Sequence, residues 1–239
     1  MKILTDLHTH TLASAHAYST LAENAAAAKA LGMEAIAMTN HGVGMEDAPH
    51  IWHFMNMKIL PEYIDGVRIL RGVEANITDI HGRLDMPQEL MAGLDIVVAS
   101  IHNPCYADVG KKDHTEAYMA VVENPAVDII GHSGSPAFMY DYEAVIRRAG
   151  ELGKLIEINA GSFEVRKPSI PNCRIIAKTC KRLGVGIAVD SDAHFAAKIG
   201  RYESAVELLR EIDFPEELII NRTLAALCDF MAPRKTIKI

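Results

Sequence analysis

The 239-residue chain carries a net charge of −7, is 49% hydrophobic and 23% charged, and so has the composition of a globular protein able to bury a full core. The acidic balance excludes a general nucleic-acid binder, which needs a basic face, and no apolar run reaches membrane-spanning length. Four cysteines (Cys105, Cys173, Cys180, Cys228) form no CxxC pair and read as reduced thiols; with no leader-like start, the expected compartment is the cytoplasm.

In chain order, a short apolar run at 3–7 is the first strand candidate. Thr20-Leu-Ala-Glu23 has the spacing of a capping box, in which hydroxyl and carboxylate satisfy each other's free backbone N–H groups. It opens an alanine-rich helix that Gly32 closes, since glycine accepts the left-handed backbone favoured after a helix end. Further strands are predicted at 34–39, 67–74, 94–102, 127–132, 155–160 and 185–190, each rich in Val, Ile, Leu or Ala, as strands covered on both faces require. Helices are predicted at 115–123, 142–151, 172–183 and 203–211. This alternation predicts a parallel sheet with helices outside it. No linker, low-complexity tract or repeat divides residues 1–239, which read as a single domain.

Such an α/β pattern fits an open doubly wound sheet or a closed barrel. A dinucleotide-binding open sheet wants a glycine-rich turn after its first strand, and here that turn reads HTHTLASAH. Strand after strand instead ends on a residue type that binds metals. The first delivers His8 and His10, which share parity, with His16 in the following loop. The second ends at His41, the third at Glu74, the fourth at His102 and the fifth at His132, while the seventh runs into Asp192 and His194. In a parallel barrel those carboxyl ends share one face. A lone histidine at a strand end is more often a hydrogen-bonded structural residue. Seven imidazoles and two carboxylates buried together without cations are costly, so the set predicts a metal site and favours the barrel.

The HxH after strand one, Thr39-Asn40-His41, Glu74, the single histidines and the late D-x-H resemble the polymerase and histidinol phosphatase (PHP) family. DLHTHTLASAHAYSTL, HGVGMEDAPHIWHFMNM, LRGVEANI and SDAH are most similar to its YcdX-type phosphatase branch, and the likeness runs over nearly the whole chain. The resemblance implies a distorted seven-stranded (β/α)7 TIM-like barrel and a trinuclear centre. Three divalent ions are expected, zinc first, although histidine and carboxylate ligands accept manganese or iron as well. Carried over position by position, His8, His10, Glu74 and Asp192 hold one ion, Glu74, His102 and His132 a second, and His16, His41 and His194 a third. Glu74 bridges the first two. Asn40 stands where the family usually has aspartate, which implies altered support for a neighbouring imidazole with the site still formed. Gly131-His132-Ser133-Gly134 lacks the proline that commonly follows the histidine, at no cost in ligands.

Three divalent cations among neutral imidazoles and two carboxylates leave roughly +4 of charge, which suits a phosphate dianion better than a neutral amide. Paired ions about 3.5–4 Å apart clamp the attacking and leaving oxygens of an in-line displacement and bring the pKa of bound water towards ~7. The expected activity is hydrolysis of a small phosphomonoester by metal-held hydroxide, with Glu74 and Asp192 as the catalytic carboxylates. The expected partner is that phosphorylated substrate, with neither nucleic acid nor membrane, and a homo-oligomer is compatible. Segment 45–58 reads either as a surface helix on the rim or as a lid offering Lys58, His50 and His53 to the substrate. Arg166, beside Lys167, is a further phosphate contact or a solvated charge. Asp6 and Asp190 read as structural hydrogen-bonding groups or as supports for a ligand. Two alternatives stay open: histidinol phosphatase, and an amidohydrolase-type C–N hydrolase. The latter also starts with HxH but calls for a bridging lysine on strand four, where this chain has His102.

Overall fold

A computed structural model describes residues 1–237. Its strands are β1 (Thr5–Thr9), β2 (Ala35–Met38), β3 (Tyr63–Ile64), β4 (Val67–Asn76), β5 (Ile96–Ser100), β6 (Ile129–Ile130), β7 (Leu155–Asn159) and β8 (Ile187–Asp190). Its α-helices are α1 (Leu21–Ala30), α2 (Ile51–Met55), α3 (Gln88–Ala92), α4 (Lys111–Glu123), α5 (Tyr142–Glu151), α6 (Gly161–Val165), α7 (Ile170–Leu183), α8 (Glu203–Glu211) and α9 (Leu224–Met231). The sheet runs β1-β2-β4-β5-β6-β7-β8 with every neighbour parallel, and β3 is a short antiparallel appendage on β4. This is the expected α/β barrel of seven parallel strands, nearly closed.

Closure comes from side chains. No strand ladder joins β1 to β8 among the described residues; one isolated bridge, Thr9 to Ala193, marks the seam. Leu7 N donates to Asp190 Oδ1 at 2.7 Å, and Ser191 N donates to Asp6 Oδ1 at 3.1 Å. Lower down, the buried Asn221 amide does what a strand would do. Its Nδ2 donates to Thr5 O (3.0 Å) and Val189 O (2.8 Å), and its Oδ1 accepts from Val189 N at 3.0 Å. Peptide groups at an open seam are thereby satisfied, as buried backbone must be. Asp6 and Asp190 are thus structural clasps, and neither is hydrogen-bonded to an imidazole.

A bulge in β1 sets the orientation of the first histidines. Asp6 pairs with Ile36 and Thr9 with Met38, so three steps on β1 match two on β2. Ile36 and Met38 belong to the apolar layer beneath the helices, whereas Leu7 packs in the lumen with Ala35, Ala37 and Leu70. The extra residue lets Leu7 and His8 both face inward, and His10 follows. Asp6 is left on the opposite side from His8, although the two share parity in the sequence.

Two apolar layers result. The larger lies between strands and helices. The smaller fills the lumen with Leu70, Ile96, Val98, Ile129 and Leu155, and α9 closes it from below with Leu224, Leu227 and Met231. Helices α5 and α8 lie where expected, and the Thr20 capping box of α1 is present. The segment predicted as a strand at 127–132 pairs only at Ile129–Ile130, because His132 turns to φ 21° after Gly131. A Cβ at Gly131 would run into Ser100 Oγ and Val98 Cγ1, so the sheet crowds there and only glycine fits. No helix among the described residues is long and apolar enough to cross a membrane.

Candidate metal centre

The carboxyl ends of the strands bring the nine residues with metal-ligand chemistry to one mouth. Glu74, fully buried on β4, is the hub. Its Oε2 lies 3.3 Å from His8 Nε2, 3.6 Å from His10 Nε2 and 2.8 Å from His41 Nδ1. Its Oε1 lies 2.8 Å from His132 Nε2 and 3.5 Å from His102 Nε2. One carboxylate oxygen therefore faces each of two groups of imidazoles. Asp192 Oδ1 lies 3.1 Å from His10 Nε2 and 3.6 Å from His8 Nε2. His194 stacks on His10 and His16, with ring centroids 4.1 and 4.5 Å apart, and His16 stacks on His41 at 5.0 Å. Donor atoms fall into three overlapping groups: His8, His10 and Glu74; His41, Glu74 and His102; and His10, His41 and His194.

These residues fit divalent cations on a physical ground. His8 Nε2, both ring nitrogens of His10 and His41, His194 Nε2 and Glu74 Oε2 are buried with no hydrogen-bond partner. Even at 2.8 Å, His41 Nδ1 and Glu74 Oε2 lack the angles of a hydrogen bond. Orphaned buried polar atoms are expensive, and here their lone pairs converge. Nitrogen and carboxylate donors of this kind suit zinc, manganese or iron.

The electrostatics push in both directions. Burial lowers the His8 pKa, but Glu74, Glu157 and Asp192 outweigh it and raise it well above the ordinary value. Burial, with His41 and His194 nearby, takes His10 well below, and burial takes His102 down to about 3. Burial raises Glu74 and Asp192, yet the surrounding imidazoles, joined at Asp192 by Arg166, pull both well below the usual carboxylate range. The cluster thus keeps its acids ionised and the His10 and His102 rings neutral, the states that ligate metals, while the carboxylates push His8 and His41 towards the charged form.

Around the donors stands a layer that sequence reasoning missed. Glu157, buried on β7, lies with Oε1 2.7 Å from His8 Nδ1 and accepts from His132 N through Oε2 at 2.5 Å. It thereby fixes which nitrogen of His8 faces Glu74. Its signal was available: a lone acid inside the otherwise uncharged run Leu-Ile-Glu-Ile-Asn at 155–159. Asn76 Oδ1 holds His102 Nδ1 at 2.7 Å and is itself held by Asp85, while His16 Nδ1 is paired with Asp47. Asp192 adopts φ 55°, a left-handed conformation uncommon outside glycine. β8 ends at Asp190, so strand parity does not explain why Asp192 and His194 both reach the site; that kink does.

Asn40 plays a different part from the one expected. Its Oδ1 accepts from Thr11 N (2.8 Å) and Ser14 Oγ (3.2 Å), and Ser14 Oγ in turn accepts from His41 N. The Asn40 side chain therefore braces the loop after β1 and is hydrogen-bonded to none of the nine, although its backbone oxygen accepts from Glu74 N at 3.1 Å; its Nδ2 meets His53 Nε2 at 3.2 Å. The segment 45–58 contains α2, and of its residues Met45 lines the mouth. His50 caps α2 beside Trp52, His53 faces a groove with Met38, Trp52 and Leu60, and Lys58 is exposed. None of these three lines the mouth. Arg166 does line the mouth, with Nη2 2.6 Å from Asp192 Oδ2.

Comparison with known proteins agrees with this geometry. Over 235 residues the chain is 46% identical to a probable phosphatase of Acetivibrio thermocellus, covering 98% of each chain. It is 45% identical over 239 residues to a probable phosphatase of Clostridium novyi, covering 100% of this chain and 98% of that one. Among solved structures, histidinol phosphate phosphatase from Lactococcus lactis, complexed with zinc, L-histidinol and phosphate, shares the fold. The TM-score is 0.66 at 21% identity, over 90% of this chain and 95% of that one. The PHP domain profile matches residues 6–167, which take in the HxH, Glu74, His102 and His132. With its strand-end donor residues gathered around a buried carboxylate, the chain belongs to the PHP domain family.

Proposed function

We infer that this protein is a metal-dependent phosphatase acting on a small phosphomonoester, with three divalent ions, zinc first, held by His8, His10, His16, His41, Glu74, His102, His132, Asp192 and His194. The observation that carries the reading is the convergence of buried, unpartnered imidazole nitrogens on the two oxygens of Glu74. The probable phosphatases among its relatives and the zinc and phosphate of the Lactococcus lactis structure support it. Bound cations supply an activated water nucleophile and polarise the phosphoryl group.

The chain's own residues do the rest. Glu74 and Asp192 keep negative charge at the floor of the mouth. Glu157 fixes the His8 ring through Nδ1, and Asn76 does the same for His102. Arg166 reaches over Asp192 from the rim, where its guanidinium is placed to receive phosphate oxygens; the Nε is buried and unpartnered. Lys58, His50 and His53 have no part in this proposal. C–N hydrolysis is the weaker reading, because the fourth barrel strand leads to His102 where a carbamate-forming lysine is wanted.

Phosphate release from an aryl phosphate tests the reading. Activity is expected to vanish on chelation and to return with zinc, manganese or iron. Chelator-resistant turnover, or none with any divalent metal, overturns it.

A further inference from the structure

Resting on the phosphatase reading, a second feature of the mouth bears on which ester enters. The cavity above the metal-type donors has a volume of about 580 Å³, within the ordinary range of small-ligand sites. Its outer wall is apolar and uncovered. Tyr18 is 71% exposed, Phe195 51% and Val165 77%, and all three line this one cavity. Large apolar side chains standing together in water mark a place that a ligand covers.

Two of the three are built into the ligand loops. Tyr18 lies two residues after His16, and Phe195 follows His194. Tyr18 N donates to His194 O at 2.7 Å, and Ala196 N donates to Ser19 Oγ at 2.9 Å. The loops are therefore stitched side by side, with one aromatic ring on each, next to the donors. Charges at this rim are paired with one another, Arg166 with Asp192 at 2.6 Å and Arg201 with Glu203 at 3.6 Å. Arg166, Lys198 and Arg201 line it, and Glu164 is the one carboxylate there beyond Asp192 among the described residues. Lys198 Nζ holds Glu164 Oε2 at 2.6 Å. An ammonium group on the substrate would find no free acid there, since each lining carboxylate already holds a cation.

We propose that the rim selects phosphomonoesters whose leaving alcohol carries a flat apolar group without positive charge, seated against Tyr18 and Phe195 and backed by Val165. The phosphate end then points to Arg166 and the donor cluster. This excludes amino alcohols such as histidinol as the preferred leaving group.

The test uses three primary alkyl esters on the metal-loaded protein: 3-phenylpropyl phosphate, propyl phosphate of near-equal leaving-group pKa, and phenylalaninol phosphate, whose ammonium group makes it intrinsically the more labile. The expected kcat/KM for the phenylpropyl ester is at least about tenfold above that for the propyl ester, the scale of one aromatic contact plus buried area. Phenylalaninol phosphate, which adds only an ammonium group, falls at least about tenfold below its uncharged counterpart. Tyr18→Ala and Phe195→Ala, both at exposed positions, bring the phenylpropyl-to-propyl ratio towards one. Equal kcat/KM for all three esters, or an aromatic preference that survives both substitutions, overturns the proposal. If no ester is hydrolysed, the phosphatase reading fails, and calorimetric binding of 3-phenylpropylphosphonate against propylphosphonate still judges the rim. Tighter binding of the aromatic phosphonate supports it, and equal binding defeats it.

Discussion

The two ends of the barrel follow opposite rules. At the floor, α9 seals the lumen with Leu224, Leu227 and Met231, and the buried Asp128 is paired with both Arg234 (3.0 Å) and Lys235 (2.7 Å). Lys154 Nζ donates to two backbone carbonyls there, at 2.9 and 2.6 Å. At the mouth, imidazole nitrogens and a carboxylate oxygen are buried with nothing to bond. The floor is built to hold the fold together, and the mouth leaves its polar groups unsatisfied, as the proposed cation site requires. The difference teaches that burial means one thing where polar atoms are paired and another where they are left open.

That contrast can be broken at its strongest point by Glu74→Gln. The substitution removes the charge that faces both sets of rings, and activity is expected to fall on the order of a thousandfold or more, while the apo protein still folds. Measured turnover within tenfold of wild type would show that Glu74 is not the hub. At the other end, Leu227→Ala opens a cavity in the sealed floor and is expected to cost about 2–5 kcal/mol in denaturant unfolding, with turnover per folded molecule unchanged. Equal loss of activity and stability in that variant would mean that the two ends are not separable. The smallest effect belongs to Glu157→Gln, which keeps shape but weakens the grip on His8. Metal titration is expected to give about 10–100-fold weaker binding, with the circular dichroism of the native fold retained. Unchanged affinity would reduce Glu157 to a structural acid.

Much of this was legible in the chain. Strand positions followed from short Val- and Ile-rich runs, and the nine donors followed from their place at the ends of those runs. What escaped had a physical reason. Glu157 hides inside a strand, where sequence gives no direction for its carboxylate, and its role depends on His8 arriving from β1. The helix α9 carries no chemistry, and only the closed lumen shows that it is a stopper. His53 and Lys58 looked available because α2 follows a ligand in sequence; tertiary packing leaves both outside the mouth. Asn40 was read through its neighbour His41, yet a side chain beside a ligand in sequence is free to face another loop altogether.

The extra residue in β1 has an outcome for what the chain tolerates. Strand geometry has a period of two, and the mismatch between Asp6 and Thr9 shifts its phase by one. Regular pleating of the same residues, without the bulge, would keep Leu7 inward and turn His8 and His10 out under the helices, disarming the site with every other donor intact. The phase of the strand between the seam and the first imidazoles is therefore as much a part of the site as the imidazoles themselves.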